Sequence, residues 1–349
     1  MISSLATYFV SGVLLVSLTI YVLTAGADYG GGVWDLLATG PRAYLQRNLI
    51  EEAIGPIWEA DHVWLILVIV ILFTAFPPAF SRIMIGLHVP LTLVLVGIVM
   101  RGSAFSFRSY GGGGDLAERE WGRLFAVASL VTPLLLGVIV GAIAGARVPS
   151  HPSHLADFFL PWLTPFGLSV GLFTVVLFAY LAACYAPLET TDKALRDDFR
   201  RRGIVSGFLA GLVAGIVLLL ARVQAPLIWE GLTRREWTWP LMWANGLAGV
   251  GAIYCLWRRF FNAARVLAAA HVGMILWGWA FAQFPYIVPT NNTIYNSVSP
   301  PITMELLAGA LAAGSVILLP SYRYLIRVFK SHPERRRHTS PTEPYRGHA

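Results

Sequence analysis

Charge is scarce in this chain. Only 13% of its 349 residues are Asp, Glu, Lys or Arg, against about 25% in an ordinary soluble domain. Hydrophobic residues make up 56%, and the mean hydropathy is +0.63. A soluble fold of this size needs a polar exterior that such a composition cannot supply. A cytosolic enzyme and a disordered protein are therefore excluded. Cysteine is nearly absent: Cys184 and Cys255 are the two present. Their spacing fits neither a metal site nor a disulfide framework, and both read as inert buried thiols. The alternating ten-residue segments of an outer-membrane barrel are missing. So is a basic stretch ahead of the first apolar run, which makes residues 6–27 a retained helix and not a cleaved signal.

What is there is a series of long apolar runs. They lie at about 6–27, 56–77, 81–103, 121–145, 161–186, 202–222, 240–257, 263–284 and 302–326. Each is long enough to cross a bilayer of about 30 Å as a helix. The expected fold is an all-α integral membrane protein with nine transmembrane helices. Residues 1–330 form one helical domain, and residues 331–349 a polar, basic tail without fixed structure. Glycine recurs at a spacing of four in Gly207, Gly211 and Gly215, a pattern that suits close helix packing.

The net charge of +7 does not point to nucleic acid. The basic residues sit in short clusters between apolar runs, which is a topology signal. With the C-terminus in the cytoplasm, 21 of the 26 lysines and arginines fall on the inner side. The N-terminus then faces out, as an odd number of crossings requires. The tail, with Arg335, Arg336 and Arg337, would lie near anionic headgroups.

Ionisable residues at membrane depth are functional candidates by default. They gather at the start of the second span, in Gly55-Pro56-Ile57-Trp58-Glu59-Ala60-Asp61-His62-Val63-Trp64. On a helix, His62 lies about 60° from Glu59 and about 100° from Asp61, while the two carboxylates point nearly opposite ways. His62 could exchange a proton with either. Flanking tryptophans lower the local polarity, which suits a proton relay. The bland alternative is a charged first turn at the water interface. Asp28 is the second candidate, in Gly26-Ala27-Asp28-Tyr29-Gly30, where glycines allow a bend or a close helix contact. His88 and His271 each stand alone on a helix and read as packing residues, not ligands. His151 and His154 fall in an outer loop. Arg101 and Arg108 alternate with Phe105 and Phe107, which suits headgroup anchoring or a helix or subunit contact.

Taken together, these segments resemble subunit II of the cytochrome bd family of terminal quinol oxidases. The family's G-x-D-x-G is matched by Gly26, Asp28 and Gly30. Its P-x-W-[DE]-x-x-x-V-W-L is matched by Pro56, Trp58, Glu59, Val63, Trp64 and Leu65. Its R-x-x-x-F-x-[FY]-R is matched by Arg101, Phe105, Phe107 and Arg108. Pro165-Phe166-Gly167 follows, and Phe284, Pro285 and Pro289 close the series. The family usually carries Asp, Gly and Asn where Glu59, Ala60 and Asp61 stand, and often an acid near Thr24 and Ala25. These departures point to a divergent branch, such as a cyanide-insensitive-oxidase-like one.

The resemblance implies a prokaryotic cytoplasmic-membrane protein that pairs with a homologous subunit I and sometimes a small single-span subunit. Subunit I would carry haem b, haem d and the quinol site. The present chain would ligate no haem or metal, and a bound quinone or lipid is compatible with it. Acids near its inner face (Glu59, Asp61 and Asp28, with His62) would deliver protons for the reduction of oxygen to water. Trp58, Trp64, Arg101 and Arg108 would be structural or at the subunit interface. A proton-coupled secondary transporter is the alternative. It predicts paired broken helices around a midplane site, whereas these acids lie near one face.

Overall fold

The computed structural model describes residues 2–54, 58–110, 114–150 and 152–330. The expected tail from 331, Pro56 and His151 lie outside these residues, and the side chain of Trp58 is not described either.

The described chain is almost wholly helical. Its helices are α1 (Ile2–Leu36), α2 (Ala43–Ile54), α3 (Trp58–Ala75), α4 (Pro77–Gly86), α5 (His88–Tyr110) and α6 (Gly114–Ala144). There follow α7 (Pro165–Tyr185), α8 (Lys193–Gln224), α9 (Pro226–Thr233), α10 (Thr238–Trp257), α11 (Phe261–Gln283) and α12 (Pro301–Lys330). A short antiparallel pair, β1 (Tyr286–Val288) and β2 (Asn292–Thr293), lies between α11 and α12. Several boundaries are written in the sequence. Thr164 caps α7, its hydroxyl accepting from the Gly167 amide at 2.9 Å, with Pro165 in the first turn. Asp192 caps α8 through the amides of Ala194 and Leu195.

Seven helices are long and apolar enough to cross a membrane: α1, α5, α6, α7, α8, α11 and α12. Helices α2 and α3, inclined by 54°, count together as an eighth. The expected seventh span is present as α10, but Trp239, Trp243 and Asn245 dilute its hydropathy. Three sequence-based boundaries need correction. The first helix does not stop at 27 but runs on to Leu36. The third span does not begin at 81, because α4 ends at Gly86 and a new helix starts at His88. The amphipathic helix α2 has no counterpart among the expected spans; it buries Gln46, Leu49, Ile50 and Ile54.

Helix α7 is the central post, in contact with α1, α6, α8 and α11. Of its spanning residues 72% are buried, against 6% in α12, so α12 turns most of its surface outward. Lipid tails are as apolar as leucine, so helices in a membrane associate through close packing instead of a hydrophobic drive. Gly30 shows how close. A Cβ there would run into the carbonyl oxygen of Phe178 on α7. A Cβ on Gly32 would likewise run into the side chain of Ser129 on α6. The glycines of the first motif thus admit neighbouring helices, while α1 itself runs unbroken. Of the three glycines on α8, Gly207 alone is packed within this chain; Gly211 and Gly215 have no neighbour within 4 Å.

Gly30→Ala is therefore expected to destabilise by more than the ~1–3 kcal/mol of ordinary overpacking, since the obstacle is backbone. Gly211→Ala should be neutral or gain up to about 1 kcal/mol of helix propensity. Thermal unfolding of the two purified variants checks this, and equal melting temperatures would refute it.

Candidate functional site

A buried polar seam runs along one face of α1. Tyr21, Asp28 and Asp35 recur every seven residues, about 10 Å apart along the axis, and all three are buried. Tyr21 and Asp28 meet α3, and Asp35 meets α5.

Asp61 of α3 is fully buried. Tyr322 of α12 donates to its Oδ1 at 3.2 Å. Asp28 and Thr24 of α1 lie beside it, while its Oδ2 has no hydrogen-bond partner among the described residues. The Tyr322 ring lies edge-on to the buried Trp64, at 5.4 Å. His62 is half-buried, its ring 6.1 Å from Tyr21. Glu59 occupies the first turn of α3 and is exposed. The structure therefore brings Asp61 and Asp28 together from separate helices and leaves Glu59 on the surface, with His62 between the two environments.

Deeper along the seam lies Arg101 of α5, 2% exposed. Its guanidinium covers the ring of Tyr29 at 4.6 Å and that of Phe125 at 5.1 Å. Its Nε donates to Ser129 at 3.1 Å. Nearer the end of α1, Arg108 pairs with Asp35 at 3.2 Å and with Glu51 of α2 at 3.4 Å. Arg47 donates to the backbone oxygens of Asp35 and Ala38, where the carbonyls at a helix C-terminus want a cation. Both motif arginines thus face inward to other helices of this chain, and headgroup anchoring is not how Arg101 is used.

Sequence reading did not single out Tyr21, Tyr29, Asp35, Glu51, Ser129 or Tyr322. The seven-residue spacing on α1 was the available signal. It was lost by ending the first span at 27, which cut off Asp35.

The two helical histidines make contacts within this chain. His88 is exposed at the start of α5, its ring 4.8 Å from Phe158. His271 is bonded through Nδ1 to the Asn245 carbonyl at 3.0 Å and lies edge-on to Tyr180. Among the described residues, no three His, Cys, Asp or Glu side chains converge as a metal site requires. In the loop before α7, the backbone amides of His154 and Ser153 hold Asp157 below the usual carboxylate range. Its hold on that loop is present at neutral pH and is lost as the pH falls through the lowered value.

The sequence model of cytochrome bd terminal oxidase subunit II matches residues 6–329. The chain belongs to the cytochrome bd subunit II family. Among its relatives is the cytochrome bd-I ubiquinol oxidase subunit 2 of Escherichia coli K12, 24% identical over 353 residues and covering 88% of each chain. Another is the putative cytochrome bd menaquinol oxidase subunit II of Bacillus subtilis 168, 20% identical, with 89% of this chain and 91% of that one covered. The fold is similar to a chain of the bd oxidase from Geobacillus thermodenitrificans, with a TM-score of 0.77 and 22% identity, over 94% of this chain and 99% of that one. As a subunit II with several spanning helices, this is a multi-pass membrane protein.

Proposed function

We propose that this chain is the non-haem-ligating subunit of a quinol:oxygen oxidoreductase in a prokaryotic cytoplasmic membrane. The match to the subunit II family over nearly the whole helical region carries this reading. In it, residues 1–330 form one membrane domain that crosses nine times, N-terminus outside and C-terminus inside, as the lysine and arginine distribution favours. The partner is a subunit I, through which quinol reaches the complex and which holds haem b and haem d. A small single-span subunit completes it. The haems supply electron transfer and oxygen reduction when bound. This chain supports assembly and brings protons.

The proton role rests on the Asp28, Asp61 and Tyr322 cluster. An ionised carboxylate can only accept hydrogen bonds, whereas a protonated one can also donate. Two facing carboxyls can therefore hold one proton between them and release it toward a site of demand. Exposed Glu59 collects protons from water. His62, within reach of both environments, passes them to Asp61.

The test is a dithionite-reduced minus oxidised optical spectrum of the complex purified through a tag on this chain. Co-purifying b-type bands are expected, with a red-shifted haem d band. A preparation without haem and without a partner subunit would overturn the reading.

A further inference from the structure

We propose that a hollow between α1, α2, α5 and α6 binds the headgroup of an anionic phospholipid. It encloses about 630 Å³, within the ~300–1,000 Å³ typical of ligand sites. Arg47, Arg108, Arg119 and Arg123 line it, and Asp35 is the one carboxylate among its described lining residues.

Positive charge is left over after local pairing. Asp35 is engaged by Arg108, which also meets Glu51. Arg123 pairs with Glu120 at 2.6 Å. Arg47 is held by two backbone carbonyls, which orient its guanidinium without neutralising it. Arg119 adds a further exposed cation. Guanidinium forks at such a site match the paired oxygens of a phosphodiester.

The depth of the hollow identifies the source of that phosphate. Three apolar spans end or begin here, at Leu36, Arg108 and Arg119, so the hollow lies where hydrocarbon gives way to headgroups. Its rim is apolar and aromatic on one side: Leu36 and Tyr44 are exposed, the latter to 68%. A water-borne anion has no use for that rim, whereas the glycerol and upper acyl carbons of a lipid would cover it. A smaller hollow of about 210 Å³ beyond α2 is lined by Arg42, Arg201 and Arg202. It has no such rim, and its Asp198 already takes Arg42 and Gln46.

The experiment is native mass spectrometry of the intact complex, taken from nanodiscs of phosphatidylcholine doped with phosphatidylglycerol. The wild type is expected to retain phosphatidylglycerol selectively. Arg119→Gln and Arg123→Gln should each lower retention about fivefold, the effect of one interfacial cation. Lysine at both positions should preserve most of it. Equal retention by wild type and glutamine variants would overturn the proposal. So would a wild type that retains both lipids alike, a comparison that needs no variant to assemble. Binding of inorganic phosphate in place of the lipid would mean a free-anion site and would overturn the lipid assignment.

Discussion

Asp61→Asn is expected to lower oxygen consumption by the purified complex roughly 10²-fold, the lower end of what a positioned proton-transfer group contributes. Haem content should stay at the wild-type level. The asparagine still accepts from Tyr322 at the position of Oδ1, so the contact between α3 and α12 survives. What is lost is a group that can take up and release a proton. Two further readouts separate this from a packing defect. Infrared difference spectra should lose the C=O stretch of a carboxylic acid that changes during turnover. Asp61→Glu should restore part of the rate, because it restores the exchangeable proton. Glu59→Gln should cost less, since Glu59 is exposed and water can bypass it. An Asp61→Asn complex that turns over at the wild-type rate across the pH range would remove Asp61 from the proton route.

The second large effect is expected on stability. Arg108→Ala leaves Asp35, whose side chain is 4% exposed, without its guanidinium partner. Breaking one side of a buried ion pair costs about 3–5 kcal/mol. The same change also removes the Arg108 contact of Glu51 on α2, so the junction of α1, α2 and α5 should loosen together. Replacing both partners, in Arg108→Ala with Asp35→Ala, should recover part of the loss, because no uncompensated charge remains buried. A double-mutant cycle on the unfolding temperature of the purified complex measures the coupling. If the single variant melts with the wild type, the pair does not hold this end of the bundle.

The membrane class and the position of most helices were legible because length and apolarity are properties of a segment. A run such as 202–222 stays apolar whatever it packs against. The helix breaks were less legible. Gly86 with Pro90 is the local signal for the break in 81–103, but Pro133 and Pro320 stand inside unbroken helices, so a proline alone does not decide it. The candidate acids were legible individually, and the opposite facing of Glu59 and Asp61 followed from the 100° step. Their grouping was not. The contact between Asp61 and Asp28 joins two helices, and Tyr322 reaches Asp61 across 261 residues. No periodicity within one segment encodes that meeting. Arg101 shows the same limit: composition allowed either a headgroup or a helix contact, and only the placement of α1 beside α5 and α6 chose.

The hydrogen bond between Asp61 and Tyr322 also sets an order of events during synthesis. At about 5–20 residues per second, the 261 residues between them take roughly 13–52 s to translate. Throughout that interval α3 is made and α12 is not. A lone Asp costs about 2.5–3.5 kcal/mol at the centre of a membrane helix, an upper bound for Asp61 in the first turn of α3. Thr24 and Asp28, on the helix made first, are the polar company available to Asp61 while it waits. The first pair of long helices is thus able to shelter its own acid, and the last helix closes a cluster whose other members are already in place.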